Sequence, residues 1–156
     1  MIYEEYHNLL KRYKEAENNY YLALDKKSRL LSGVFPGSSK IKEIMVDSSN
    51  NSYDDALINY ASELEEVDKL INETRNTKDV LQYELKLKEE KLKSSIDIYD
   101  RIYVYKWIEH RRVKNYYRLL NYSKRQIYRF IDEMEIKLYS KKSWHKMAQN
   151  GTKNSV

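Results

Sequence analysis

The chain has 156 residues, of which 34% are charged, and it carries a net charge of +5 at pH 7 with a mean hydropathy of −0.88. This length suits about one domain, and no apolar run approaches the roughly twenty residues that a membrane span requires. Cysteine is absent, which excludes disulfides and thiolate metal sites and favours a reducing cytoplasm.

The first half of the chain has the pattern of two long helices. Apolar residues recur at helical spacing over about residues 3–31, and Ser32-Gly33 with Pro36-Gly37 beyond it is a typical stop signal. A second helix is predicted over about residues 53–93, with Asp54 and Asp55 favourable near its positive end. Residues 32–52 form the predicted loop between them.

The second predicted helix has apolar residues that alternate by threes and fours, as in a coiled coil, although Lys78 and Lys88 interrupt the pattern. A single helix cannot bury such a stripe. The preferred partner is helix 3–31 folded back as an antiparallel hairpin, and the next is a second copy of the chain, giving a homodimer. We therefore predict an N-terminal helical hairpin over residues 1–95. The predicted oligomer or partner seam consists of Leu57, Leu64, Val67, Ile71, Leu81 and Leu85.

Residues 96–139 have the pattern of a helix-turn-helix domain. A helix over 97–109 is predicted to pack beneath a helix pair that begins at Arg111. The apolar face of the first helix of that pair consists of Val113, Tyr116, Leu119 and Leu120, and that of the second of Ile127, Phe130 or Ile131, Met134 and Leu138. Such a motif places its second helix in the major groove of DNA, whereas two ordinary bundle helices with a short loop are the alternative interpretation.

The turn between these two helices has suitable chemistry. Leu120-Asn121-Tyr122 is predicted to form it, with Asn121 at a position that needs a left-handed backbone. Ser123 is a good N-cap, and Gln126 three residues later completes a capping box.

Charge divides the chain into an acidic and a basic part. Residues 1–100 contain fifteen Lys and Arg against twenty Asp and Glu, whereas residues 101–156 contain fourteen against four. Such asymmetry is expected where one half meets a polyanion, here double-stranded DNA, and residues 140–156 are predicted to be a basic, flexible tail. The predicted base-reading residues are Lys124, Arg125, Gln126, Tyr128 and Arg129. The predicted phosphate contacts are Arg111, Arg112, Lys114, Arg118, Tyr122 and Ser123.

Two stretches resemble the sigma-like late-transcription regulators of phages of Gram-positive bacteria. The first comprises Trp107-Ile108-Glu109, Leu119 to Ser123 and Arg125 to Arg129, and the second runs from Pro36 to Tyr60. The resemblance implies a C-terminal helix-turn-helix like the promoter-reading domain of sigma factors. It also implies an activator of phage or prophage genes that acts with host RNA polymerase.

Three residues depart from the pattern of that family. His110 and Asn121 stand where Gly is usual, and Tyr117 stands where a small Ala is usual. The last change predicts a wider crossing of the two helices.

No catalytic constellation is visible, so the chain is predicted not to be an enzyme and to use no cofactor. His7, His110 and His145 are scattered, which argues against a metal site. The first fifteen residues have no apolar signal core, so localisation in the bacterial host cytoplasm is expected. Two alternatives to a transcription regulator remain: a DNA-recognition subunit like the small terminase of phages, and a protein–protein inhibitor or adaptor.

Overall fold

The computed structural model describes residues 1–32 and 50–139, with side chains in the second range from residue 54. All regular structure in these ranges is helical, which confirms the predicted all-α fold class. The helices are α1 (Ile2–Ser32), α2 (Asn50–Ser94), α3 (Ile98–Tyr103), α4 (Val113–Tyr116) and α5 (Lys124–Tyr139), and α3 continues into a wider π-helical turn (Val104–Ile108).

The two long helices lie where periodicity predicts them. The predicted bounds of 3–31 and 53–93 differ from the observed bounds of α1 and α2 by three residues at most. Of the predicted loop, Ser32 and residues 50–52 are helical, and residues 33–49 lie outside the described residues, as does the predicted tail at 140–156.

The chain divides into two compact units. The hairpin unit comprises Lys11–Glu84, and the terminal unit comprises Met1–Leu10 together with the residues from Leu85 onward. This division differs from the predicted boundary at residue 95, because the first ten residues of the chain pack with the helix-turn-helix region rather than with the hairpin.

In the hairpin unit α1 and α2 run antiparallel. Lys27 forms a salt bridge with Asp68 at 2.7 Å, while Tyr20, earlier on α1, accepts a hydrogen bond from Arg75, later on α2. Between these levels Ala23 packs against Val67 and Ile71, with Tyr20, Leu24 and Leu30 half-buried around them.

Most residues of the predicted seam pack inside one chain, whereas Leu57 stays exposed. Val67, Ile71, Leu81 and Leu85 are buried and Leu64 is half-buried, but Leu57 is 49% exposed. The Lys27–Asp68 pair fixes the register, and at 1.5 Å per residue it places Leu57 about 9 Å beyond the level of the last residue of α1. Leu57 has no α1 neighbour at that level.

The two lysines that interrupt the seam keep their charges in contact with partners. Lys78 Nζ lies 4.7 Å above the ring of Tyr20, a cation–π contact, and Lys88 forms a salt bridge with Glu5. Both side chains can lie along the packed face because their aliphatic stems cover apolar surface.

The terminal unit is held by aromatic rings around α3. Tyr3 and Tyr103 are fully buried and their ring centroids lie 5.7 Å apart. Tyr103 also stacks on Trp107 at 5.1 Å, and His7 Nδ1 lies 2.9 Å from its hydroxyl. These contacts attach the beginning of α1 to the helices that precede α5.

Candidate nucleic-acid interface

The turn before α5 is closed by a Schellman motif centred on Asn121. Asn121 has φ of 60°, and its N–H donates to Arg118 O at 3.1 Å while Tyr122 N–H donates to Tyr117 O at 3.4 Å. These are the two bonds that end a helix with a left-handed residue, so the predicted role of Asn121 is confirmed. The regular part of α4 is short, Val113–Tyr116, and Leu119 in the turn is 56% exposed rather than part of the apolar face.

α5 begins with the predicted capping box. Ser123 Oγ accepts a hydrogen bond from Gln126 N–H at 3.3 Å, and Gln126 Oε1 accepts one from Ser123 N–H at 3.0 Å. Ser123 Oγ also lies 3.0 Å from Gln126 Oε1, to which it donates. Two backbone N–H groups at the start of the helix are thus satisfied reciprocally, which fixes the direction in which α5 leaves the turn.

This geometry gives two of the predicted DNA contacts, Gln126 and Ser123, a role in the helix cap. Reading adenine requires both the oxygen and the nitrogen of an amide side chain, and the amide oxygen of Gln126 is occupied by the cap. The hydroxyl of Ser123 is engaged in the same box. Both residues stabilise the start of α5, and DNA would compete with the cap for the same polar atoms.

The other four predicted base-reading residues project from one side of α5. Ile127 and Ile131 are buried, and so are Met134 and Leu138 further along the helix. Side chains away from this apolar stripe face solvent, and they include Lys124, Arg125, Tyr128 and Arg129, all of which are exposed. They fall in the first two turns of α5, the turns that reach base edges in helix-turn-helix proteins.

The surface around these residues carries unneutralised positive charge. Between Glu109 and Asp132 the sequence has seven Lys and Arg and no Asp or Glu. Arg111 pairs with Glu109 at 2.6 Å. Within the described parts of the chain the other six form no salt bridge with a carboxylate; they are Arg112, Lys114, Arg118, Lys124, Arg125 and Arg129.

Tyr117 organises two of these cations. Arg118 Nε donates to the Tyr117 hydroxyl at 2.8 Å, and Lys124 Nζ lies 5.3 Å from the centre of the same ring. Since Lys124 belongs to α5 and Arg118 to the turn before it, the ring places one predicted phosphate contact beside one predicted base contact. Tyr122, another predicted phosphate contact, packs edge-on against Phe130 at 5.4 Å and is about one third exposed.

The second half of α5 carries acids that sequence reasoning did not assign. Glu133 accepts a hydrogen bond from the Tyr99 hydroxyl at 2.8 Å, which raises the pKa of Tyr99, and Glu135 is paired with Lys106. Asp132 and Glu133 are exposed, so negative charge follows directly after Arg129. The sequence already indicates this division of charge, because the basic residues of α5 come first and the acidic residues follow.

A buried carboxylate, Asp100, joins the start of α1 to α3. Asp100 Oδ1 accepts a hydrogen bond from Tyr3 N–H at 2.9 Å, and Asp100 Oδ2 accepts one from Ser95 Oγ at 2.7 Å. Asp97 caps α3 by accepting from the N–H groups of Tyr99 and Asp100. Nothing local in the sequence marks Asp100, because its partner Tyr3 lies 97 residues away.

The segment between α3 and α4 contains the second left-handed residue. His110 has φ of 52°, and around it Glu109 N–H donates to Val104 O and Arg111 N–H donates to Tyr105 O, both at 2.8 Å. His110 thus adopts the conformation that Gly reaches without steric cost. The resulting turn directs the Arg111–Arg112 segment toward α4.

A groove of about 550 Å³ lies between this segment and α5. Val113, Tyr116 and Ile131 line its apolar part, with Arg112 and Asp132 on its rim. Tyr116 is fully buried, and its hydroxyl has no hydrogen-bond partner among the described residues. Burial accordingly raises the pKa of Tyr116 to about 12.

Comparison with known proteins gave no match among family models, curated proteins or solved structures. Among the described residues no helix has the length and apolar character needed to cross a membrane. In residues 1–32 and 50–139, His, Asp and Glu side chains form no group of three or more that could hold a metal ion.

Proposed function

We propose that this chain binds specific sequences of double-stranded DNA through α4 and α5 and thereby regulates transcription. The observation that carries the proposal is the combination of a Schellman turn, a capping box and six exposed cations without carboxylate partners in the described residues. A bundle needs a closed turn, but it does not need unpaired charge on the helix that follows the turn.

The proposed mechanism follows from what each group can donate. Arg125 and Arg129 lie one helical turn apart, about 6 Å along α5, and each guanidinium can donate two hydrogen bonds to the O6 and N7 atoms of a guanine. Lys124 and Tyr128 project from the same two turns. Arg112, Lys114 and Arg118 contact phosphates and set the register without reading sequence.

The acids in the second half of α5 limit how the helix lies in the groove. Asp132 and Glu133 repel phosphates, so the first two turns enter the major groove and the second half of the helix points away from the duplex. Activation of phage or prophage genes with host RNA polymerase is the finer proposal, and it rests on the resemblance to sigma-like regulators. The hairpin unit is then free for protein contacts.

The proposal is tested by selecting short duplexes from the genome that encodes the chain, at about 150 mM salt, where non-specific binding is typically weak. We expect enrichment of one or a few sites upstream of operons. Arg125→Ala and Arg129→Ala should each weaken binding to the selected site by about 1–3 kcal/mol and relax the preference at one base position. Lys86→Ala removes an exposed positive charge from α2 and should leave both quantities unchanged.

Each contrary result has a definite meaning. Uniform weakening on all sequences would reassign an arginine to phosphate contact. Enrichment at a packaging start would favour the packaging subunit over the regulator. If no site is enriched and only salt-sensitive background binding is seen, sequence-specific DNA binding is refuted. That result would favour an adaptor whose basic end binds an acidic protein.

A further inference from the structure

The hairpin unit leaves more large apolar side chains exposed than it buries. Its described residues bury five apolar side chains, of which two are alanines: Ala16, Ala23, Val67, Ile71 and Leu81. Eight large ones are exposed: Tyr21, Leu22, Leu31, Leu57, Ile58, Leu70, Val80 and Tyr83. So many exposed apolar side chains among the described residues favour contact with a further surface.

One side of the hairpin offers a groove of about 400 Å³ for such a surface. Its floor is formed by Ala16 and Leu81, and Leu70 lies at one end. Thr74 and Thr77 also line it, and their hydroxyls donate to backbone carbonyls of the preceding turn, so neither needs a polar partner from outside. The middle of the groove is therefore shallow and lined by small side chains.

The charges on this groove are arranged in a self-complementary order. The hydrogen bond between Tyr20 and Arg75 fixes a common level on the two antiparallel helices. Arg12 lies eight residues before Tyr20, about 12 Å to one side of that level, and Glu73 lies two residues before Arg75, about 3 Å to the other side. Both line the groove, and within the described residues neither has a salt bridge.

A two-fold axis midway between Arg12 and Glu73 brings opposite charges together. It brings Arg12 to the same level along the helices as Glu73 of the partner subunit, and by symmetry Glu73 to the level of Arg12 of the partner subunit, within reach of long side chains. The same axis brings Glu15 level with Asn19 of the partner subunit, because these positions lie about 3 Å on either side of it. Ala16 and Thr77 lie closest to the axis, where small side chains allow two hairpins to approach.

We propose that this groove is the interface with a second copy of the chain, and that two hairpin units form an antiparallel four-helix assembly. A second copy fits better than a partner whose surface is only acidic or only basic. The groove carries both positive and negative side chains, and their order is complementary to the same groove turned by a two-fold axis. The proposal does not rest on DNA binding. It assigns dimerisation to the groove face instead of the seam, whose Val67 and Ile71 pack against α1 within each chain.

The absence of cysteine from the sequence permits a direct test by introduced cysteines. Thr77→Cys places a thiol within about 2 Å, along the helix, of the proposed axis, where two copies can form a disulfide. Asn76→Cys places an equally exposed thiol about 100° around α2, off the groove. We expect the full chain with Thr77→Cys to form a covalent dimer under mild oxidation and the Asn76→Cys chain to stay uncross-linked. Equal cross-linking of both variants would overturn the proposal.

Charge reversal gives an independent readout in sedimentation equilibrium over about 1–100 μM protein. Arg12→Glu and Glu73→Arg should each raise the dimer dissociation constant at least about tenfold, because the symmetry applies each change twice. The double variant should return to within about threefold of the unmodified chain, and Glu65→Arg on the far face of α2 should change nothing. A monomeric unmodified chain, or a dimer that ignores both reversals, would refute this interface.

Discussion

The buried hydroxyl of Tyr116 makes the terminal unit sensitive to alkaline pH in a predictable way. The phenol is fully buried beneath the groove beside α5, its ring stacks on Tyr105 at 5.3 Å, and burial raises its pKa to about 12. A pKa raised in the folded state means that the stability contribution is complete below the unfolded value, about 10, and is lost as the pH rises toward 12.

The size of this loss follows from the two pKa values. At pH 11 ionisation of this one group lowers the free energy of unfolding by about 1.4 kcal/mol, and the loss approaches about 2.7 kcal/mol above pH 12. Tyr116→Phe removes the ionisable hydroxyl, so the variant should gain stability relative to the unmodified chain by these amounts. At pH 7 the change should be neutral or stabilising by up to about 1–2 kcal/mol, because the hydroxyl has no partner in the described residues.

The assay is urea unfolding at pH 7, 8, 9, 10 and 11, followed by the fluorescence of Trp107 in a Trp144→Phe background. Trp107 belongs to the terminal unit, so the signal reports the unit that contains Tyr116. Tyr83→Phe serves as control, since its phenol is exposed in the hairpin unit. If the stability difference between the Tyr116→Phe and unmodified chains stays constant from pH 8 to 11, the claim that burial raises the pKa of Tyr116 is refuted. Marked destabilisation by Tyr116→Phe at pH 7 would show that the hydroxyl has a partner.

Substitutions at three further positions probe the turn and the buried carboxylate of α3 by thermal unfolding. Asn121→Gly should be neutral or slightly stabilising, whereas Asn121→Ala should cost about 1 kcal/mol, because Gly and Asn adopt the left-handed backbone more easily than Ala does. Equal effects of the two substitutions would contradict this explanation. Ser123→Ala should cost about 0.5–2 kcal/mol by loss of the capping box, and an unchanged midpoint would mean that the box is not formed in solution. Asp100→Asn should cost about 1–3 kcal/mol, since the buried carboxylate accepts from both Tyr3 N–H and Ser95 Oγ; stability equal to that of the unmodified chain would exclude this bridge.

Sequence periodicity was sufficient for the long helices and for the turn. α1 and α2 repeat their apolar positions over many turns, so single exceptions such as Lys78 do not hide the pattern. The turn was equally predictable, because a capping box and a left-handed Asn are local features whose hydrogen-bond partners lie within five residues in the sequence. Each of these features is determined by neighbours in the sequence.

What the sequence left undetermined depends on distant partners or on competition for one group. Tyr3 and Asp100 meet across 97 residues, so the membership of the first ten residues in the terminal unit has no local signal. Gln126 was assigned both a cap and a base contact, and only the geometry decides that the cap holds its amide oxygen. Leu57 fits the heptad pattern but lies beyond the level at which α1 ends. A pattern along one helix does not show where the partner helix ends.

The charge order along α5 is opposite to what helix stability favours. The positive end of a helix dipole is stabilised by acids, and α1 follows that rule with Glu4 and Glu5 in its first turn. α5 instead begins with Lys124 and Arg125 and carries no acid in its first turn, an arrangement that costs about 0.3–1 kcal/mol for each cation. The capping box offsets part of this cost, because it provides hydrogen-bond acceptors for N–H groups at the start of the helix and cationic side chains cannot accept these bonds. The cations at the start of α5 therefore cost helix stability, but they suit a surface that contacts a polyanion. This arrangement agrees with the proposed entry of the first two turns of α5 into the major groove.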